Sequence, residues 1–225
     1  MMLPDYWLER PNIAIDSQAR SDFDKLFARV RAAGKNTQID YSLQAPKWQF
    51  LCYLSDQHGV VLHGTGDPQI QVFEPRPSND LNEFGSQTAV YAAGDGLWAM
   101  FYAILDRRCY PMATSNACIR LVDSAGQVSG PWYVFSISQY ALDLKPWRRG
   151  TIYLLPGDTF VNQPSLKFGL YEVRIPQLAS LAPVKPFAQL EVAPQDFPFL
   201  KDIRGIDDAR LEEYGKAMQT GAPWP

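Results

Sequence analysis

The sequence predicts an α+β protein with a mixed or antiparallel sheet. Helical patterns dominate residues 1–59, whereas the second half of the chain contains short strands separated by turns, with few helices between them. Parallel βαβ units need a helix between successive strands, so they do not fit this order of elements. We therefore predict a single domain, in which the helical segment precedes a core of residues 60–192 and a C-terminal extension of residues 193–225.

Two amphipathic helices are predicted in the N-terminal segment. Apolar residues between Phe23 and Val30 recur every three or four positions, and Gly34 follows where a C-terminal cap would lie. A second helical pattern begins near Pro46 and ends by Gly59. Each pattern leaves one apolar face for packing against a core.

A strand, a long loop, a second strand and a buried helix are predicted next. Residues 60–63 form a short apolar run that ends at a glycine, while residues 64–87 are rich in Gly, Pro, Asn, Asp and Ser. A strand follows at residues 89–92, and the helix at residues 97–105 is apolar on nearly every side. Further strands are expected at residues 117–122, 132–137, 151–155, 170–175 and 187–192, and a last helix at residues 207–218.

Composition and charge argue against several classes of function. The formal net charge of -3 and a sequence pI of about 5.4 provide no general positive field for nucleic acid. Charges and prolines interrupt the N-terminus where a secretion signal needs an apolar stretch, and no apolar run approaches the roughly 20 residues of a membrane span. We therefore expect a cytoplasmic protein without a membrane partner.

Metal and hydrolase chemistry find no support in the sequence. The three cysteines have no CxxC spacing and are expected to be reduced and to have packing roles. Two histidines cannot form a multi-histidine centre, so no metal is expected. The signatures of P-loop proteins, zinc peptidases, GxSxG hydrolases and Rossmann folds are missing.

His63 is the better candidate of the two histidines for a functional role. It ends a predicted strand and is followed by Gly64 and Thr65, which place a polar ring at the rim of the sheet beside main chain that a ligand can approach closely. Arg76, in the long loop, is placed either to hold a phosphate group or to form a surface ion pair. These residues predict a binding site at one end of the sheet.

The triplet His63-Gly64-Thr65 resembles the HG[ST] motif that opens the nucleotide site of the histidine-tyrosine-glutamate class of ADP-ribosyltransferases, which includes poly(ADP-ribose) polymerases and diphtheria-toxin-like enzymes. Tyr91 in the next predicted strand and Tyr102, eleven residues later in the following helix, match the family's two tyrosines. The resemblance implies an ADP-ribosyltransferase-like split sheet that binds NAD. Nicotinamide would lie between the two tyrosines with its carboxamide on the main chain of Gly64. His63 would hold the ribose or adenosine side.

A third segment is similar to the family's catalytic motif. Residues 177–187 follow its pattern of a strand start, a polar loop and a final strand, with Gln177 at the position of the family's glutamate. The resemblance implies that Gln177 orients the ribose, although an amide lacks the charge that stabilises an oxocarbenium-like transition state. Ala99 replaces a small hydroxylated residue, so one hydrogen bond to the carboxamide would be missing. Arg76 would reach the pyrophosphate.

The resemblance implies an NAD-dependent ADP-ribosyltransferase whose acceptor is a protein or a nucleic acid. Two alternatives stay open: a nucleotide-binding module that does no chemistry, and an enzyme similar to RNA 2'-phosphotransferases, which also carry an HG[ST] motif. We expect His63 and Tyr91 to lie at the rim of one cleft and to face a common cavity, and side chains on opposite sides of the sheet would contradict this site. The alternative for the two tyrosines is packing in the core with their hydroxyls satisfied, and for Gln177 it is a solvated loop amide. The chain is also similar to a bacterial family that shares the segments FEPR (residues 73–76) and DFPFL (residues 196–200), which implies no particular activity.

Overall fold

The structure is a computed structural model that describes residues 3–78 and 83–225. It confirms the α+β class, because helices and two sheets occur together. The helices of the described residues are α1 (Ser17–Ala33), α2 (Lys47–His58), α3 (Gly96–Ile104), α4 (Gln139–Asp143) and α5 (Leu211–Thr220). The strands are β1 (Leu8–Glu9), β2 (Thr37–Gln38), β3 (Val61–Thr65), β4 (Val90–Ala93), β5 (Thr114–Val122), β6 (Val128–Ser138), β7 (Gly150–Leu155), β8 (Val161–Asn162), β9 (Leu166–Phe168), β10 (Tyr171–Arg174), β11 (Gln177–Ser180), β12 (Ala188–Val192) and β13 (Arg204–Ile206).

The strands form two sheets. Sheet A has the order β1-β6-β5-β10-β9, with β13 also paired to β6, and sheet B has the order β2-β12-β7-β3-β4-β11-β8. The pairs are antiparallel except for two parallel ones, β13 with β6 and β12 with β2. The prediction of mixed or antiparallel pairing is therefore confirmed.

The predicted elements are present with shifted ends. α1 begins earlier than its apolar pattern indicates, because the side chain of Asp16 accepts a hydrogen bond from the N–H of Ala19 and caps the helix. α2 ends at the expected place, where Gly59 adopts a left-handed conformation. β3 continues past the predicted end at His63 to Thr65. β1, β2, β8, β9 and β13 have two or three residues each, so hydrophobic periodicity cannot identify them.

α3 lies in the core between the two sheets. The ring of Phe101 in α3 is 4.9 Å from the ring of Phe135 in β6 of sheet A. Toward sheet B the helix comes so close that a Cβ on Gly64 would lie 1.9 Å from the carbonyl oxygen of Ala99. The largest buried cluster joins α1, α2 and α3 to both sheets. This central helix is the buried helix that the sequence predicts.

Strand alternation gives sheet B two faces. The helix face, which packs against α3, carries Leu62 and Ala93, both part of the large core cluster. The opposite loop face carries Val61, Ala92 and Tyr153, which belong to a second buried cluster. A residue's position in its strand therefore decides which face its side chain joins.

The segment after β3 covers the loop face. The hydroxyl of Tyr153 donates a hydrogen bond to the carbonyl oxygen of Asp67 and accepts one from the N–H of Ile70, both at 2.9 Å. The first part of the predicted long loop is thus fixed to sheet B. Residues 79–82 of that loop lie outside the described residues.

Candidate functional site

β3 and β4 separate directly after Leu62. Within the described residues, these strands pair through Leu62 and Ala93 alone, whereas β3 stays paired with β7 as far as Thr65. Beyond that pair the imidazole of His63 bridges the strands, because its Nδ1 lies 2.7 Å from the main-chain oxygen of Tyr91. The sheet therefore opens at the HGT triplet, beside the first of the two predicted tyrosines.

His63 and Tyr91 do not face a common cavity, so that prediction is wrong, and the imidazole of His63 is not placed to hold a ribose beside the ring of Tyr91. His63 lies opposite Tyr153 on the loop face, and its ring packs against Phe73 with 4.6 Å between ring centroids. Both neighbours of Tyr91 in β4 belong to the loop face, so the side chain of Tyr91 leaves from the helix face. The two residues meet through the imidazole of one and the main chain of the other.

The surroundings of His63 determine its charge state. A carbonyl oxygen only accepts hydrogen bonds, so the contact with Tyr91 requires the proton on Nδ1 and leaves Nε2 as an acceptor. Burial lowers the pKa of the imidazole below its ordinary value, and the positive charge of Arg76 acts in the same direction. A neutral His63 therefore holds β4 in position at the point where the sheet opens.

Gly64 is required because α3 passes directly over it. A side chain here would collide with the carbonyl oxygen of Ala99, which would lie 1.9 Å from its Cβ, and with the main chain of Ala103. Among the described residues, the main chain of Gly64 has no ladder partner toward β4, because β3 and β4 pair through Leu62 and Ala93 alone. α3 therefore covers Gly64 on the helix face, and the strand ladder of the described residues leaves the main chain of Gly64 unpaired only toward β4.

Tyr102 differs from every other residue of its helix. Among the described residues of α3, all are buried except Tyr102. Its hydroxyl donates to Oδ1 of Asn116 in sheet A at 3.0 Å, and the same oxygen accepts the indole N–H of Trp98 at 2.6 Å. Tyr102 therefore packs against the core from its edge, with its hydroxyl satisfied by a residue of the other sheet, as the packing alternative predicts.

Tyr91 is also partly buried and held by its hydroxyl. The oxygen lies 2.9 Å from the carbonyl oxygen of Phe84 and 3.1 Å from that of Gln87, so it can donate to either. These contacts tie the end of the long loop to β4. The side chain of Tyr91 leaves sheet B from the helix face, toward α3, while the hydroxyl of Tyr102 is bonded to Asn116 of sheet A.

Gln177 is the first residue of β11, so it is not a solvated loop amide. β11 pairs with β4, with Gln177 opposite Ala93 and Ala179 opposite Tyr91. Directly opposed residues of an antiparallel pair share a face. Gln177 therefore lies on the helix face together with Gly64 and Tyr91, and it stands at the start of a strand, as the resemblance implies.

Thr65 and Arg76 have other contacts. Thr65 Oγ1 accepts a hydrogen bond from the N–H of Asp67 at 3.3 Å, which stabilises the turn after β3. The main chain of Arg76 forms a bridge with Ala89 just before β4, and its charge lies near enough to His63 to lower the pKa of the imidazole. Neither contact involves Gly64, Tyr91 or Gln177, the predicted site residues on the helix face.

A buried polar network at the start of α3 was not predicted. Asp95, fully buried, accepts hydrogen bonds from the N–H of Trp98 at 3.0 Å and from the hydroxyl of Tyr133 at 2.9 Å. Arg10 donates to both Asp95 and Asp56. The sequence signal was an aspartate directly before a helical run, which is typical of a cap. Its partners are too distant in the chain to be inferred.

The chain matches no family model, no curated protein and no solved structure. In residues 3–78 and 83–225, no helix is both long and apolar enough to cross a membrane. The same residues contain no group of three His, Cys, Asp or Glu side chains arranged for a metal ion. The geometry of the opening beside β3 therefore carries the functional argument.

Proposed function

We propose that this protein binds NAD on the helix face of sheet B and transfers its ADP-ribose group to an acceptor. The supporting observation is the opening between β3 and β4, where Gly64, whose main chain is unpaired toward β4 among the described residues, lies on the same face of sheet B as the side chains of Tyr91 and Gln177. Tyr102, the residue of α3 that is not buried, supplies the second aromatic wall. The proposal includes an ADP-ribosyltransferase-like fold for this part of the chain.

The chemistry of nicotinamide riboside suits this set of groups. A flat ring binds well between two aromatic faces, and its carboxamide pairs with an uncovered strand edge. During transfer the bond between the ribose C1 and the nicotinamide nitrogen breaks, and the electron pair leaves with nicotinamide. The acceptor's nucleophile then bonds to C1 and loses a proton. Gln177 orients the ribose, and His63 acts indirectly by holding the main chain of Tyr91.

Binding of NAD without cleavage is the second candidate. It is favoured by the neutral amide of Gln177, because an amide stabilises positive charge at the ribose less than a carboxylate does. Glu172, a carboxylate close to Gln177 in sequence, lies in sheet A and pairs with Arg174 at 2.7 Å and with the hydroxyl of Ser165 at 2.8 Å. These contacts also hold the pKa of Glu172 below its ordinary value.

The RNA 2'-phosphotransferase alternative is less well supported. It requires several arginines that converge on His63, and Arg76 is placed to contribute one of them. The guanidinium of Arg148 lies against Gly66 and donates to the carbonyl oxygen of Ala103 at 3.4 Å, on the α3 side of sheet B, whereas the imidazole of His63 lies on the loop face. Arg149 forms an exposed ion pair with Glu191.

The first experiment follows nicotinamide release from NAD labelled in the nicotinamide ring. The protein is incubated with labelled NAD alone and with cell extract as a source of acceptors, and NAD affinity is measured in parallel by calorimetry. Release that depends on the protein supports transfer. Binding without release supports the second candidate, and neither binding nor release contradicts both.

Three tyrosine variants test the placement of the ring. Replacing Tyr91 with alanine should weaken NAD binding by about 1–3 kcal/mol, the usual range for losing one stacking platform. Tyr91→Phe keeps the ring and should keep most of the affinity. Tyr140→Ala removes a tyrosine that is half exposed on α4 and serves as the control. Equal affinities of all three folded variants would show that Tyr91 has a packing role alone.

A further inference from the structure

Gln163 lies directly opposite Gln177 at the edge of the candidate site. Its N–H donates to the carbonyl oxygen of Gln177 at 2.9 Å. This bond continues the β8–β11 ladder by one residue beyond Asn162 and Leu178. Opposed residues of an antiparallel pair share a face. The two glutamines are therefore side by side on the helix face, although 14 positions separate them in the sequence (177 minus 163).

The side chain of Gln163 has an unsatisfied acceptor. Its Oε1 atom is buried and has no hydrogen-bond partner among the described residues. A buried acceptor without a donor costs free energy, so such atoms in folded proteins call for a partner outside the chain or a functional explanation. No sequence motif surrounds Gln163, so the sequence by itself does not indicate a role for this residue.

We propose that Gln163 is a second ligand-binding residue of this site and that, with Gln177, it accepts hydrogen bonds from the hydroxyl groups of a bound ribose. This inference rests on the proposed function. Neither amide carries a charge, which favours a neutral donor such as a sugar hydroxyl over an ammonium group. Two amides on opposed residues also present two acceptors side by side, as the neighbouring hydroxyls of a ribose require.

The test compares two glutamines with the same defect. Gln189 in β12 also has a buried Oε1 without a partner among the described residues, but it lies opposite Tyr153 and therefore on the loop face. Replacing either glutamine with leucine removes an unsatisfied acceptor, so neither variant should lose stability for that reason. Gln163→Leu should weaken NAD binding at least fivefold in calorimetry, whereas Gln189→Leu should leave it unchanged. Nicotinamide alone, which has no ribose, should bind both variants and the wild type equally.

A second measurement separates this inference from the proposed function. The side-chain NH₂ resonance of Gln163 is assigned by its loss in Gln163→Glu, and wild-type protein is titrated with NAD, adenosine and ribose 5-phosphate. A shift of this resonance with a ribose-containing probe supports the inference even if NAD itself does not bind, which would refute the proposed function alone. NAD binding that Gln163→Leu does not weaken overturns the inference and leaves the proposed function standing. A resonance that none of the three probes moves also overturns it.

Discussion

Replacing Asp95 with asparagine should destabilise the protein far more than the same change at another helix cap. Asp95 and Asp16 each cap a helix through a side-chain oxygen, to the N–H of Trp98 and of Ala19 respectively. Aspartate and asparagine are about equally good caps, so Asp16→Asn should change the free energy of unfolding by only a few tenths of a kcal/mol. Any larger effect at Asp95 must come from its other contacts.

The other contacts of Asp95 determine how much unfolding free energy Asp95→Asn should lose. Asp95 is fully buried and also accepts hydrogen bonds from Arg10 and from the hydroxyl of Tyr133. An amide there keeps the cap on Oδ1 but loses the charge, and it turns an NH₂ group toward both of these donors, because Arg10 and Tyr133 donate to the same Oδ2 atom. Removing one member of a buried ion pair costs about 3–5 kcal/mol. Arg10 keeps Asp56 as a partner, which favours the lower end of this range.

Urea unfolding followed by circular dichroism measures both variants against wild type. A loss below about 1 kcal/mol for Asp95→Asn, or equal losses for the two variants, would refute the assignment of this network as a buried, charge-dependent support of α3. The double variant Arg10→Met with Asp95→Asn should lose less unfolding free energy than the two single variants together. The reason is that Asp95→Asn alone leaves the Arg10 cation without one of its partners, whereas the double variant has no cation there.

Three further predictions concern the site and the thiols. If NAD is cleaved, Gln177→Glu should raise the rate of nicotinamide release at least tenfold, because an anion stabilises positive charge at the ribose better than an amide does. A tenfold gain corresponds to about 1.4 kcal/mol of transition-state stabilisation. An unchanged rate would mean that the third motif lies elsewhere in the chain. Burial lowers the pKa of His63 below 6.5, so the stabilising contribution of His63 should be complete above pH 6.5 and be lost as the pH falls through the folded-state pKa. In a plot of unfolding free energy against pH, His63→Asn should flatten this part of the curve. A variant curve that runs parallel to the wild-type curve would contradict this prediction. Thiol titration with a disulfide reagent should detect the exposed Cys109 in the native protein and all three cysteines after denaturation, because Cys52 and Cys118 are buried. Burial raises the pKa of Cys52 to about 12 and raises the pKa of Cys118 well above its ordinary value. Fast reaction of more than one native thiol would show that the interior is open.

Local signals in the sequence were sufficient for the central elements. The apolar run of α3, the turn before it and the short strands on either side of the long loop depend on neighbouring residues, and they appear where the pattern predicts them. The resemblance also placed Gln177 at the start of a strand, as the structure has it. The shortest strands were not predicted, because two or three residues are too few to show a periodicity.

Site geometry depended on the pairing of strands that are far apart in the chain. The sequence by itself determined the α+β core, because local periodicity and turn residues predict its helices and strands. For the same reason it placed Gly64 and Tyr91 on two successive strands and Tyr102 on the helix that follows them. Tertiary structure alone decided that His63 joins the loop face and bonds to the main-chain oxygen of Tyr91, and that Gln163 comes to lie beside Gln177. A shift of one residue in strand register moves every side chain to the other face, and register is set by long-range pairing that no local pattern specifies.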